Sequence, residues 1–204
     1  LTTDFASVDP RVLQKLVEDP TGTARKFTAW LKNGGNLLLP GPRILKVDRT
    51  RIFNPTEFIG AGWTIWRGPS DGNGLEGDED QDRNALALSE LDLNAVTFDD
   101  CIEDGEKVVK GEEKLLRLKA KSSIRRLDAL TFHTIWENPE LIPEHWKEQT
   151  DGNTTYRYFD GTVLRNPFGS RCVLCLYFWG GGWRWSYGWL GSGWYSFSPS
   201  AVLA

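Results

Sequence analysis

Cys172 and Cys175, in the run "SRCVLCLYFW", have the spacing of a zinc half-site or a redox dithiol. Either chemistry needs both sulfurs on one side of the backbone. The run is apolar and β-prone, and in a strand positions three apart point to opposite faces. The only histidines are His133 and His145, and no second CxxC completes a four-ligand site. Two ordinary strand cysteines are therefore expected, with zinc or redox chemistry as the alternative, and Cys101 stands alone. Asp78, Asp80 and Asp82 alternate within the acidic stretch "PSDGNGLEGDEDQDRN", as oxygen ligands of a calcium loop can. The EF-hand pattern needs Asp or Asn where Leu75 sits, so a solvated loop is expected there rather than bound calcium. The chain has no P-loop, no GxGxxG after a strand, no HExxH and no GxSxG. Neither an enzyme nor a cofactor is expected.

The remaining candidates are aromatic. In "GGGWRWSYGWLGSGWYSFSPS", from Gly180 to Ser200, Trp183, Trp185, Tyr187 and Trp189 share one parity and Arg184, Ser186 and Gly188 the other. Period-two alternation puts the aromatics on one face of a strand. Fully burying one aromatic is worth about 1.5–3 kcal/mol. The tryptophans are thus expected inside as anchors, with Arg184, Ser186, Gly188 and the 191–198 loop outside. Three readings compete. One is a Trp-rich sheet core with no binding role. Another is a carbohydrate or cell-wall module whose exposed rings stack on a ligand. "YGWLGSGWYSF" looks like one unit of a choline-binding repeat, a type that needs several copies, and one is present. The third is a restricted alphabet: between Arg171 and Ser198 there is no Lys, Glu, Gln or Met, and every residue but Trp has a codon ending in a pyrimidine.

The elements that must position these residues are legible in outline. "VDPRVLQKLVED", with Asp9 as N-cap and Pro10 at the first position, and "TARKFTAWLKNGG" read as helices. "NLLLPGPRILKVDRT" is extended, "NPTEFIG" a short capped turn of helix, and "GWTIWRG" a strand with Trp63 and Trp66 on opposite sides. "ALALSELDLNAVTFDDCI" predicts one or two strands. "GEEKLLRLKAKSS" and "RRLDALTFHTIWENP" predict a helix pair packed on a sheet, with His133 beside the stripe of Phe132, Ile135 and Trp136 and expected to make a side-chain hydrogen bond. "TTYRYFDGTVLRN" carries Asp160-Gly161, a hairpin dipeptide, and "RCVLCLYFW", a glycine turn, "WRWSYGWL" and "PSAVLA" continue the strands.

At 204 residues and a net charge of −4, the chain lacks the basic face that binds phosphate backbones, so no nucleic-acid partner is expected. No apolar run approaches the roughly 18–20 residues that span a bilayer, so no membrane insertion is expected. The start, "LTTDFASVDP", shows no signal peptide, which leaves a cytoplasmic location or an unobvious export route.

The restricted alphabet around fixed tryptophans resembles the variable region of the target proteins of diversity-generating retroelements. "FDGTVLRNPFGSRCVLCLYFWGGGWRWSYGWLGSGWYSFSPSAVLA" is similar to such a cassette, and the upstream "GWTIWRGPSDGNGLEGDEDQDRNALALSELDL" and "GEEKLLRLKAKSSIRRLDALTFHTIWENPELIPEHW" to its constant part. In that family a reverse transcriptase substitutes at template adenines, and Trp codons, lacking adenine, are unchanged. The resemblance implies an α+β fold with a C-type-lectin-like domain over 61–204, an N-terminal helical accessory segment over 1–60, and a β-rich display region varying over about 168–198. It implies scaffold anchors at Trp183, Trp185, Trp189 and Trp194. It implies diversified positions at Phe178, Gly181, Gly182, Arg184, Ser186, Gly188 and Gly191, and at Ser192, Gly193, Tyr195, Ser196, Phe197 and Ser198. The expected partner is a protein or cell-surface molecule rather than a small metabolite.

Overall fold

Trp63 and Trp66 lie in an extended run and go to different hydrophobic cores, one on each side of the main sheet. The computed structural model describes residues 42–67 and 81–204. The two helices expected before residue 36, together with Asp78 and Asp80, lie outside those residues. The described part begins with β1 (Ile44–Lys46), α1 (Pro55–Phe58), β2 (Thr64–Ile65), α2 (Arg83–Leu86), β3 (Glu90–Asp92) and β4 (Thr97–Asp99). It continues with β5 (Val109–Lys110), α3 (Gly111–Ala120), β6 (Arg125–Arg126) and α4 (Ala129–Glu137). It ends with β7 (Arg157–Arg165), β8 (Arg171–Trp179), β9 (Gly182–Trp189), β10 (Gly193–Trp194) and β11 (Ser200–Leu203). The class is mixed α+β.

The helices start where their capping chemistry says they should. Asn54 accepts from Thr56 N at 3.1 Å ahead of Pro55, and Asp128 accepts from Thr131 N at 3.0 Å ahead of Ala129. α3 carries Glu112 and Glu113 in its first turn and Arg117 and Lys119 in its last, the order the helix dipole favours. Glu113 and Arg117 pair at 3.0 Å, one turn apart.

The main sheet runs β4-β11-β7-β8-β9, with β2 also on β7 and β6 also on β11. β7, β8 and β9 are antiparallel neighbours, whereas β11 meets β7 in parallel and β4 antiparallel. β1 pairs with β3, and β5 with β10, as two small separate ladders. One face of the main sheet presents Phe159, Leu174 and Leu176 to Phe132 and Ile135 of α4. The other presents Tyr158, Val173 and Cys175 to Leu115 of α3. The expected helix pair is therefore split, one helix on each face. Residues 44–59, grouped with the N-terminal segment on sequence grounds, contribute Leu45, Val47 and Phe53 to the α4-side core.

The hairpin expected at Asp160-Gly161 is not there. β7 runs on through both residues, and its register with β8 shifts between Phe159 and Leu164. Gly161 is required by what crosses it: its N–H donates to Leu127 O at 2.9 Å, and its O accepts from Asp82 N at 2.9 Å. A Cβ there would lie 2.1 Å from Arg126 O. The dipeptide marks a close backbone approach, not a turn. Because backbone meets backbone on that side, Gly161→Ala is expected to destabilise the protein by about 3 kcal/mol or more, read from urea denaturation. A loss under about 0.5 kcal/mol would contradict the crossing.

Candidate functional site

The C-terminal hairpin is built by its turn. Gly180 and Gly181 sit at φ +60° and +81°, the two positive values a two-residue hairpin loop demands, and Trp179 pairs with Gly182 across it. Leu190 is buried after β9, and the chain then folds tightly around the Trp189 carbonyl. That oxygen accepts from Ser192 N at 3.1 Å, Ser192 Oγ at 2.7 Å and Trp194 Nε1 at 3.2 Å.

Trp194 is the true anchor, 3% exposed. Its ring lies 3.9 Å from that of Tyr158, and the Lys114 ammonium sits 4.7 Å from it. Lys114 reaches this site from α3, is 1% exposed, and donates to Ser198 O at 2.5 Å. Burial lowers its pKa, and the Asp160 charge opposes that shift. Ser198 N donates to Tyr195 O at 2.8 Å, and Tyr156 N donates to Phe197 O at 2.8 Å. Loop 195–198 is thus tied down from inside by Lys114 and along its side by the chain entering β7. It holds Tyr195 and Phe197 parallel, centroids 5.2 Å apart, and Ser196 Oγ donates to Asp151 Oδ2 at 3.0 Å.

On the α3 side of the hairpin lie Trp179, Tyr177 tilted against Tyr156 with ring centroids 4.8 Å apart, exposed Arg184 and half-buried Ser186. Tyr156, Tyr177 and Trp179 were not among the expected surface positions. The parity of β8 could have found two of them, since Tyr177 and Trp179 continue the series from Cys175.

The expected sidedness holds only in part. Trp183 and Trp185 are half-buried against the α4-side core, Trp185 on Phe58 at 4.7 Å. Tyr187 packs on Trp63 at 4.6 Å yet stays exposed. Trp189 is no buried anchor. At 55% exposed it lies against Gly191, where a Cβ would stand 2.4 Å from its ring. Gly188 points not to solvent but into Tyr158 and Trp194, where a Cβ would come within 2.6 Å of Tyr158 Cε1. Ser198 is likewise inside, 6% exposed, since its carbonyl holds Lys114. Gly193 is exposed, but a Cβ on it would lie 2.8 Å from Val108 Cγ2. Phe178 is half-buried between Trp183 and the Lys147 ammonium, and Gly181 and Gly182 face open space.

The chemical candidates are dispersed. Cys172 lies in the α4-side core and Cys175 in the α3-side core, as their spacing in a strand dictates. Burial pushes their thiols up to about 11 and about 12, so neither supplies a ready thiolate. Asp82 caps α2, accepting from Asn84 N at 3.0 Å, and its second oxygen accepts from Arg126 N at 2.8 Å. Among the described residues no three metal-ligating side chains cluster, and no helix is long and apolar enough to cross a membrane. His133 stands between Phe53 and Phe58, with Nε2 3.7 Å from Glu137, in place of the expected hydrogen bond. That carboxylate is already held at both oxygens by Arg51, at 2.8 and 2.9 Å. A cleft of about 740 Å³ is lined by Phe53, Trp63, Arg67 and Arg165 among others.

The C-terminal surface therefore offers rings, hydroxyls and the Arg184 guanidinium, with Arg171 paired to Glu112, and from Arg171 to Ser198 no carboxylate or imidazole. It can stack and hydrogen-bond. Comparison with protein-family models, curated proteins and solved structures finds no match to the chain.

Burial lowers the pKa of His133 from its ordinary 6.5, partly offset by Glu137. A base that is harder to protonate when folded binds more protons unfolded, so its contribution to stability is lost as pH falls below the ordinary imidazole value. Urea midpoints are expected to drop between pH 7 and 5, and to drop less in His133→Phe. An equal drop in that variant would refute the assignment.

Proposed function

We propose that the protein is a non-enzymatic binding protein whose C-terminal surface residues are diversified by a retroelement and displayed on a C-type-lectin-like scaffold. One observation supports this reading: within the stretch of restricted alphabet, β9 and the pinned loop carry the exposed Arg184 and Tyr195 close in sequence to the buried Trp194. Arg184 and Tyr195 are exposed and Ser196 and Phe197 half-buried, while the buried Trp194 is a residue the substitution chemistry leaves unchanged. The C-terminal strand's return into the middle of the sheet, with a helix on each face, is compatible with the proposed scaffold. Gly188, Gly191, Gly193 and Ser198 leave the set of freely variable positions, and Trp189 leaves the set of anchors. Tyr195 and Phe197, with Arg184, are the residue types that dominate binding energy at interfaces, and serines supply adaptable hydrogen bonds. The exposed aromatics Trp179 and Tyr195 are spread over the hairpin and the loop, which suits a protein or cell-surface ligand better than an enclosed small molecule.

The reading is tested by substituting Arg184, Ser186, Tyr195, Ser196 and Phe197 singly with Ser, Tyr, Gly, Asp and Leu. Melting temperatures are expected to stay within about 2–4 °C of the parent, while Gly188→Ser falls well outside that range. Equal losses in both groups would end the display reading.

The exposure of Trp179, at 59%, on the same side as Tyr177 favours a second reading, an aromatic platform for carbohydrate. On that reading, Trp179→Ala abolishes retention on insoluble chitin or cellulose without changing the melting temperature. A parent chain that neither polysaccharide retains would exclude it.

A further inference from the structure

β9 ends the main sheet, and its outer side has no strand beside it among the described residues. Leu190 N donates to Arg171 O at 2.9 Å, and with the register this fixes the phase of the ladder. Gly182, Arg184, Ser186 and Gly188 bond β8, so Trp183, Trp185, Tyr187 and Trp189 turn their N–H and C=O groups outward. The turn at Ser192 takes the carbonyl of Trp189. Trp183, Trp185 and Tyr187 keep both outward groups.

Edges of this kind are normally guarded by Lys, Pro, a bulge or a very short strand. β9 has none of these. It is eight residues long, keeps an unbroken register with β8, and carries Arg184 as its single charge.

We infer that β9 pairs antiparallel with β9 of a second copy of the chain, about a twofold axis at Trp185. In that register Trp183 stands opposite Tyr187 of the second copy, and Trp185 opposite its own counterpart. Every outward N–H and C=O of these three residues is then bonded. Residues directly opposite one another share a face, so Arg184 meets Ser186 of the second copy and no like charges oppose. The self-complementarity of this register favours a second copy over an unrelated strand. The exposed Tyr187 ring gains an aromatic neighbour on the α4 side. This inference uses the ladder geometry alone and does not depend on the diversification reading.

Sedimentation velocity of the full chain over a concentration series is expected to show a reversible monomer–dimer equilibrium. Ser186→Lys places like charges opposite Arg184 twice, and Ser186→Glu places opposite charges there twice. The lysine variant is therefore expected to dissociate about ten-fold more readily than the glutamate variant. Tyr187→Pro removes an outward N–H without touching the β8 ladder and is expected to be monomeric with an unchanged far-ultraviolet spectrum. A parent chain that is monomeric at every concentration would overturn the inference. So would equal dissociation of the lysine and glutamate variants, or a Tyr187→Pro dimer.

Discussion

The buried contact among Lys114, Tyr158 and Trp194 is the constraint on which the C-terminal third depends. An ammonium removed from water is costly unless its donors and charge are answered. Here the Ser198 carbonyl accepts from it, and the faces of Tyr158 and Trp194 lie beneath it. One side chain from α3 thereby fixes the start of β7, the 189–194 turn and the loop before β11. Gly188 is part of the same contact from the far side, because the two rings occupy the space a side chain would need. The tightness of the inside is what leaves the outside free of structural duty.

That division was only partly readable from the chain. Local signals succeeded where local physics decides: the capped turn at Asn54, the glycine turn at 180–181, the Phe132 and Ile135 stripe, and the opposed cysteines. They failed where a distant segment decides. Asp160-Gly161 has hairpin chemistry, yet the approach of Leu127 makes it a straight passage. Parity put Gly188 outside and Trp189 inside, on the premise that only one face of β9 is covered. Instead α1 and Trp63 cover the other face up to Tyr187, and the Tyr158–Trp194 pair covers the face of Gly188. Lys114 gave no sequence signal at all, sitting in α3 among charged residues on a helix that reads as ordinarily amphipathic.

The binding reading and the edge-pairing inference use different parts of the hairpin. The first draws on the side chains of the α3-side face and the pinned loop. The second draws on outward backbone groups that every sequence variant retains. A dimer joined through the backbone would set two variable faces side by side in a continuous sheet. Paired surfaces of that kind gain by avidity what each lacks in affinity.

The most direct measurement of the proposed diversification is sequencing of this locus across sibling isolates. The account predicts substitutions concentrated at Arg184, Ser186, Tyr195, Ser196 and Phe197, with Gly188, Trp194 and Ser198 constant. It also predicts a nearby near-repeat that differs where it carries adenine. Substitutions spread evenly over the hairpin, or as frequent at Gly188 and Trp194 as at Tyr195, would contradict it.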